Sequence, residues 1–202
     1  VNTFSDTEKN NDDNYADNEN AENAVIKCKD GSNVIIDGSG TINITANGKN
    51  GIKSGASTED EGDASLTIDG VTLNINAPVN DAINAESSLT VKSGALNISA
   101  ADDALHSDYK LVIGEQDNTS EPVISISSCY EGLEGANVEI YSGDIEIHSE
   151  DDGINAANSD LTDYSFTHDI YGGDIYVDAE KGDGIDSNGA LTISGGALEV
   201  FS

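Results

Sequence analysis

The chain has 202 residues, among them 39 Asp or Glu and eight Lys but no Arg, which gives a formal net charge of −31. This excess of negative charge argues against nucleic acids and anionic membranes as electrostatic partners, because both are themselves polyanionic. No apolar stretch is long enough to span a bilayer, so we expect no membrane insertion.

Residues 1–22 are rich in Asn, Asp and Glu and hold few apolar side chains. This composition predicts an acidic tail or an irregular lead-in to the folded part of the chain. Residues 23–202 repeat a pattern of short apolar segments, and we predict that they form one folded domain.

An apolar anchor, usually preceded by Gly or Ala, recurs at spacings of 26, 31, 22, 28, 21 and 31 residues. Two further segments with alternating apolar residues follow most anchors, as in residues 89–91 and 96–98. An alternation with a period of two indicates β-strands, so each repeat should contain three short strands. The seven anchors are Ile26, Ile52, Ile83, Leu105, Leu133, Ile154 and Ile185.

A unit of about 20 to 30 residues that cannot bury its own apolar face must stack on its neighbours. Leucine-rich repeats have a similar length, but the chain shows neither a helical segment nor a Leu-rich consensus. The predicted fold is therefore an all-β, right-handed parallel β-helix, a solenoid of about seven coils, one for each anchor. The longer repeats are explained by loop insertions at residues 55–65, 114–122 and 157–167.

Acidic residues flank the anchors and should stack on one another in neighbouring coils. Carboxylates about 4.8 Å apart repel one another, and a bound cation removes this repulsion. Calcium is the predicted ion because it takes oxygen ligands, including carboxylates and Asn amides. Alternatively, Asp and Asn favour this corner only because they tolerate turn conformations. Two calcium sites are predicted, one from Asp102, Asp103, Glu131 and Glu134 and another from Asp151, Asp152, Asp183 and Asp186.

Two surfaces are candidates for binding a glycan. The third strand of each repeat presents an outward row of mainly Asn, Ser and Glu, which suits a hydroxyl-rich ligand or merely forms an Asn ladder that stabilises stacking. Aromatic residues near the last insertion can form a stacking platform for a sugar ring, or the loop can pack them onto the rod. The predicted carbohydrate-binding residues are Tyr164, Phe166, His168, Tyr171 and Tyr176.

Several recurring motifs resemble those of a known family. They include Asp-Asp-Gly-Ile-Asn-Ala at residues 151–156, Leu-Thr-Ile-Ser-Gly-Gly at 191–196 and Leu-Asn-Ile-Ser-Ala at 96–100. Together with Ile-Asp-Gly-Ser-Gly-Thr at 36–41, they look like the clostridial β-helix carbohydrate-binding family, which is related in fold to polysaccharide lyases. The resemblance begins near Asn20 and covers nearly all of the remaining chain. It implies an extracellular or cell-surface, calcium-containing β-helix that binds cellulose or acidic, pectin-like polysaccharide without catalysis.

Two other functions are compatible with the sequence. A structural surface or filament-forming protein would self-associate through its open β-helix ends and use calcium only for stability. A calcium-dependent polysaccharide lyase would need a base, and because the chain has no Arg the candidates are Lys53, Lys92, Lys110 and Lys181. Lys53 is the best placed, since it follows an anchor directly and should lie beside Asp81 and Asn84. The leading prediction is a non-catalytic protein that binds polysaccharide.

Overall fold

The computed structural model describes residues 1–6, 24–55, 64–117 and 121–202. Within these ranges the protein consists of 20 short β-strands. The described residues include no helix that is long and apolar enough to cross a membrane. All strand pairs are parallel, and the chain visits the same columns of strands in each turn. The protein is a parallel β-solenoid, which confirms the predicted all-β architecture.

The strands, numbered in chain order, stack in three columns. The first column contains β2 (Ala24–Cys28), β5 (Asn50–Ser54), β8 (Ile83–Ala85), β15 (Ile154–Ala156) and β18 (Ile185–Ser187). The second contains β3 (Asn33–Asp37), β6 (Ser65–Asp69), β9 (Ser88–Val91), β16 (Thr167–Ile170) and β19 (Ala190–Ile193). Two longer strands, β11 (Leu105–Ile113) and β13 (Leu133–Ile140), run through both columns and join them into one 12-stranded sheet.

The third column is a separate eight-stranded sheet, called sheet A below. Its strands are β1 (Asn2–Ser5), β4 (Thr41–Thr45), β7 (Thr72–Ala77), β10 (Gly94–Ala100), β12 (Pro122–Ser128), β14 (Asp144–Ser149), β17 (Asp174–Ala179) and β20 (Ala197–Phe201). The strands from β4 to β17 in this sheet each end where the chain turns into the next anchor, so these anchors begin at the carboxyl edge of sheet A.

The seven predicted anchors lie in register along the first column, from Ile26 opposite Ile52 to Ile154 opposite Ile185. The five between the outermost two have no exposed surface. Each anchor packs on the ones above and below it, so the core is a continuous column along the solenoid. Six turns separate β2 from β18, slightly fewer than the predicted number of coils.

The N-terminal residues add a strand that the sequence analysis did not predict. Residues 2–5 form β1, which pairs with β4 at one edge of sheet A. The predicted domain boundary between residues 22 and 23 lies outside the described residues.

The loop insertions occupy two corners of the solenoid. The insertions at residues 55–65 and 157–167 both follow first-column strands, namely β5 and β15, whereas residues 114–122 lead from the second column into sheet A. Most of the first insertion and residues 118–120 lie outside the described ranges.

Glycine residues in the left-handed region form the corner that leads into sheet A. Gly94, for example, has a φ of 106°. A Cβ atom there would lie 2.3 Å from the main-chain oxygen of Val71 in the coil below. This close approach requires Gly and keeps the coils in contact at the corner.

Candidate functional site

The polar residues beside the anchors form two rows along the corner between sheet A and the first column. Strand pairing holds the row one position after the anchors in register, in the order Lys53, Asn84, His106, Glu134, Asn155 and Asp186. The row two positions before the anchors contains Asn50, Asp81, Asp103, Glu131, Asp152 and Asp183. Stacking therefore brings carboxylates of neighbouring coils to one corner of the molecule, which is called the acidic corner below.

His106 lies at the centre of the acidic corner. Its Nδ1 contacts Glu134 Oε2 and lies 3.3 Å from Asp103 Oδ2, and its Nε2 lies 2.8 Å from Asp108 Oδ1. Exposed fractions of 19% for the His106 side chain, 13% for Asp103 and 18% for Glu134 show that solvent reaches this group only partly. Burial opposes a charge on His106, but its hydrogen bonds to the three carboxylates outweigh burial and raise the pKa of the imidazole well above its usual value.

A second group of three carboxylates, Asp81, Asp102 and Asp103, shares Asp103 with the His106 group. In each group the potential ligand atoms lie within 4.8 Å of one another. Burial, reinforced by repulsion from Asp103, raises the pKa of Asp81 to about 6. Asp81 accepts hydrogen bonds from Asn84 Nδ2 at 2.6 Å and from the main-chain N–H of Asp103 at 3.3 Å. The group concentrates negative charge in a partly desolvated region, where a bound cation would stabilise the carboxylates.

Two buried amide oxygens lie beside these carboxylates. Asn155 is 7% exposed and donates from Nδ2 to Glu131 Oε2 at 3.1 Å. Burial, with repulsion from Glu134, raises the pKa of Glu131 to about 8. The Oδ1 atoms of Asn155 and Asn84 are buried and have no hydrogen-bond partner. Carboxylates together with amide oxygens that lack a donor are a ligand set that suits a metal ion.

The structure therefore brings together part of the first set of residues predicted to bind calcium, and calcium at this place stays a prediction. Asp102 and Asp103 belong to one compact group and Glu134 to the other, while Glu131 pairs with Asn155. The prediction did not include Asp81 or His106, although both occupy the same stacked rows.

The second predicted calcium site is more open. The main-chain N–H of Asp183 donates to Asp152 Oδ1 at 2.7 Å, and Asp186 Oδ1 accepts from the N–H of Ser187 at 2.7 Å. The structure describes all four predicted ligands, Asp151, Asp152, Asp183 and Asp186. No three of their carboxylates have oxygen atoms within 4.8 Å of one another. Burial raises the pKa of Asp152, with repulsion from Asp151 adding to it. A metal ion at this second group stays a prediction.

The outer face of sheet A carries a ladder of Asn side chains. Asn97 Nδ2 donates to Asn74 Oδ1 at 2.8 Å, and Asn74 Nδ2 donates to Asn43 Oδ1 at 2.7 Å. Because a side-chain amide has two N–H groups, Asn74 and Asn97 each keep one N–H that the ladder does not use. Asn43 Nδ2 donates to Thr3 Oγ1 at 3.4 Å and likewise has a second N–H. The ladder lines an open groove of about 370 Å³, together with Thr45, Asn76, Ser99, Ser125 and Ser127.

The same face becomes acidic towards the other end of sheet A. The row continues through Ser125 to Glu146, Tyr176 and Glu199. These last three residues line a second open groove of about 560 Å³ with Asp144 and Asp174. Sheet A thus offers a neutral amide and hydroxyl surface over one half and an acidic, partly aromatic surface over the other.

A family model described as a carbohydrate-binding domain-containing protein matches residues 1–120 and 118–202, which together span the chain. The chain belongs to this family. No curated protein and no solved structure matches it. The expected resemblance to a carbohydrate-binding family is therefore confirmed.

In this carbohydrate-binding domain, Tyr164 and Phe166 pack on the solenoid. Their rings meet edge to face at 5.4 Å, and Tyr164 also meets Tyr109 at 6.1 Å. Asn137 Nδ2 donates to the Tyr164 hydroxyl at 2.6 Å. Both side chains are half-buried. The loop packs its aromatic residues onto the rod, which was the alternative to an open stacking platform.

Tyr171 and Tyr176 lie apart from that pair. Tyr171 stacks on Tyr141 with ring centroids 4.8 Å apart, so one face of each ring is used within the domain. Tyr176 lies on sheet A, where it contacts His148 and Phe201. The ring contacts thus divide the predicted aromatic residues among separate places, and Tyr176 lines the acidic groove on sheet A.

His168 lies inside the core of the carbohydrate-binding domain. It has no exposed surface and occupies the second column, opposite Val138 on one side and Leu191 on the other. Neither ring nitrogen has a hydrogen-bond partner. Burial lowers the pKa of His168 and outweighs the opposite influence of Asp186 and Asp169. In this position the imidazole has no access to a glycan.

Proposed function

We propose that the protein is a non-catalytic, extracellular or cell-surface domain that binds plant-type polysaccharide, either cellulose or a pectin-like acidic glycan, with the help of calcium. Membership of the family supports carbohydrate as the ligand. The observation that carries the proposal is the groove on sheet A, where hydrogen bonds hold Asn43, Asn74 and Asn97 in line. Side chains that are already ordered lose little freedom on binding, and their spare N–H groups suit the hydroxyl oxygens of a polysaccharide.

Calcium in this proposal binds at the acidic corner. Asp81, Asp102 and Asp103, with the unpartnered amide oxygen of Asn84, form the all-oxygen ligand set that calcium prefers. The corner adjoins the groove, since Ser99 lines the groove and Asp102 follows three residues later. A bound calcium ion supplies positive charge that offsets the repulsion between an acidic glycan and a protein with a net charge of −31.

Binding of cellulose oligosaccharides and polygalacturonate, measured by calorimetry and by retardation in polysaccharide gels, tests the groove. Asn74→Ala removes the middle of the ladder, and we expect it to weaken binding roughly two- to tenfold, the equivalent of one hydrogen bond. Asn33→Ala is the matched control, because Asn33 is exposed on the second column, where it accepts a hydrogen bond from Ser65. Equal binding by both variants would refute the groove as the binding surface.

Thermal melting with calcium or EDTA tests the cation. We expect calcium to raise the melting temperature of the parent, and this rise should shrink in Asp81→Asn but persist in Asp37→Asn, whose carboxylate is exposed on β3. Polygalacturonate binding should depend on calcium more strongly than cellulose binding does. If calcium does not change the melting temperature of the parent, calcium is removed from the proposal. The proposal that the groove binds polysaccharide is not affected by that result.

An exposed strand layer favours self-association as a second candidate. The strands β18, β19 and β20 each pair with a neighbour on one side, and Leu191, Ile193 and Phe201 are 47%, 52% and 49% exposed. Such edges are able to add a strand from a second copy. Sedimentation velocity of the parent and of Ile193→Lys tests this, because self-association through the layer should be lost in the variant.

The geometry of Lys53 does not favour the lyase alternative. Its Nζ lies 2.7 Å from Glu86 Oε1, and its side chain is 9% exposed. An ammonium group paired in this way is not available to accept a proton from a uronate. Formation of unsaturated uronide from polygalacturonate, followed by its absorbance, would contradict this conclusion.

A further inference from the structure

We propose that Asp103, His106 and Glu134 form a binding site for a transition-metal ion such as zinc, chemically distinct from the neighbouring all-oxygen group. Their potential ligand atoms lie within 4.8 Å of one another on two adjacent coils. One imidazole nitrogen and two carboxylates, with a place left for water or an amide oxygen, are ligands that zinc accepts. This site is independent of the proposed glycan groove.

The orientation of His106 supports this assignment. Nδ1 is the nitrogen that faces both Asp103 and Glu134, whereas Nε2 lies 2.8 Å from Asp108 Oδ1. Histidine ligands in metal sites characteristically donate their other ring N–H to a carboxylate, which fixes the tautomer and the direction of the ring. Asp108 therefore has the position of a supporting residue, and Nδ1 is left to bind the metal.

Asn155 provides an independent indication that a cation binds here. It is buried, its Oδ1 has no hydrogen-bond partner, and it lies opposite Glu134 in the adjacent strand. Its Nδ2 donates to Glu131 Oε2 at 3.1 Å, which places the side-chain amide of Asn155 beside the carboxylates of the acidic corner. A buried carbonyl oxygen without a donor is costly. A metal ion, or a water molecule bound to one, would supply its partner.

The ligand types distinguish this site from a calcium site. Imidazole nitrogen is a common ligand of zinc, copper, iron and nickel, while calcium takes oxygen ligands. A protonated His106 balances only one of the three carboxylates that contact it, whereas a divalent ion bound to the neutral ring carries twice that charge. Asp103 belongs to both groups and has two carboxylate oxygens, so one residue can serve both ions.

Titration with zinc chloride and cobalt chloride tests the site in the intact protein after EDTA treatment. We expect one tightly bound zinc ion that excess calcium chloride does not displace, and visible absorption from cobalt that indicates nitrogen and oxygen ligands. Asp108→Asn should lower zinc affinity roughly 10- to 100-fold, as is typical for residues that support a ligand. His106→Gln should lower it further. His148→Gln is the matched control, because His148 also lies near two carboxylates, Glu146 and Asp178, but is partly exposed on sheet A.

Several results would overturn the proposal. Unchanged zinc affinity in His106→Gln, an equal loss in His148→Gln, or displacement of zinc by comparable calcium concentrations would each do so. Melting curves establish that the variants are folded. Should His106→Gln fail to fold, the ring nitrogen signals of His106 in the parent provide the test, because they must shift when zinc is added. Glycan binding is not measured here, so failure of this site is distinguishable from failure of the proposed function.

Discussion

Replacing His168 with Leu should stabilise the protein, although it changes a fully buried residue. The imidazole lies in the second core column between Val138 and Leu191, and neither of its nitrogens has a hydrogen-bond partner. An aliphatic side chain continues the column that the neighbouring coils establish. The variant therefore exchanges two unsatisfied polar atoms for apolar packing.

The size of the gain follows from the number of unsatisfied atoms. A neutral imidazole has one donor and one acceptor, and each costs about 1–3 kcal/mol when it is buried without a partner. Repacking around a side chain of different shape costs up to about 1.5 kcal/mol. The two atoms together cost about 2–6 kcal/mol, so after repacking we expect His168→Leu to raise the free energy of unfolding by about 0.5–6 kcal/mol at neutral pH.

The gain should grow as the pH falls. Burial lowers the pKa of His168 in the folded state, so the unfolded chain takes up the proton first. The parent thus keeps its full stability above the unfolded pKa of about 6.5 and loses up to about 1.4 kcal/mol per pH unit below it. The variant has no such group, and titration of the acidic corner affects both proteins alike.

Urea unfolding of both proteins at pH 8 and pH 5.5 measures these differences. His148→Leu serves as the control, because His148 lies in a partly exposed position on sheet A and should give no comparable gain. A midpoint for His168→Leu below that of the parent at pH 8, or an advantage that does not increase at pH 5.5, would refute the argument. Unchanged polysaccharide binding by the variant is also expected, since the ring is buried.

Two further predictions concern packing and charge. Gly132→Ala should lower the melting temperature by several degrees, since its Cβ would lie 2.3 Å from the Gly153 main-chain oxygen and 2.5 Å from Ile147 Cγ2. Gly40→Ala, which meets no atom within 4 Å, should melt like the parent, and similar losses in both would contradict this. Burial and nearby carboxylates raise the pKa of Glu131 to about 8, so ionisation of this residue destabilises the folded state increasingly as the pH rises from about 4.5 to 8. Glu131→Gln should therefore be more stable than the parent at pH 8 in EDTA and similar at pH 4, and a difference independent of pH in urea unfolding would count against this.

The core register was predictable because the anchors share a simple signal. Every anchor is Ile or Leu, and the strands after it alternate with a period of two, so like positions align when the coils stack. His168 broke the pattern in the second column because a polar residue at a core position gives no apolar signal. Strand β1 was missed because Asn2–Ser5 precedes an Asn-rich acidic segment whose composition is typical of a tail.

The acidic corner was predictable as a stack but not as a set of contacts. The repeat placed Asp103 and Glu134 in adjacent coils, but His106, which contacts both, was not predicted because calcium takes oxygen ligands and imidazole offers nitrogen. The aromatic group was predicted from closeness in sequence. In a solenoid, residues a few positions apart face different columns, and residues about one coil apart become neighbours, as Tyr141 and Tyr171 show.

Two strands pass from the first column to the second without a break. The central coils therefore differ from the outer coils in where the chain can be lengthened. At this corner β11 and β13 are continuous, whereas β5 and β15 are followed by inserted segments. The longer connections at this corner therefore lie on either side of an unbroken central span. For protein engineering, the segment after β15 is a natural place to graft a foreign peptide. The neighbouring central coils have a fixed spacing and would hold the peptide at a defined position.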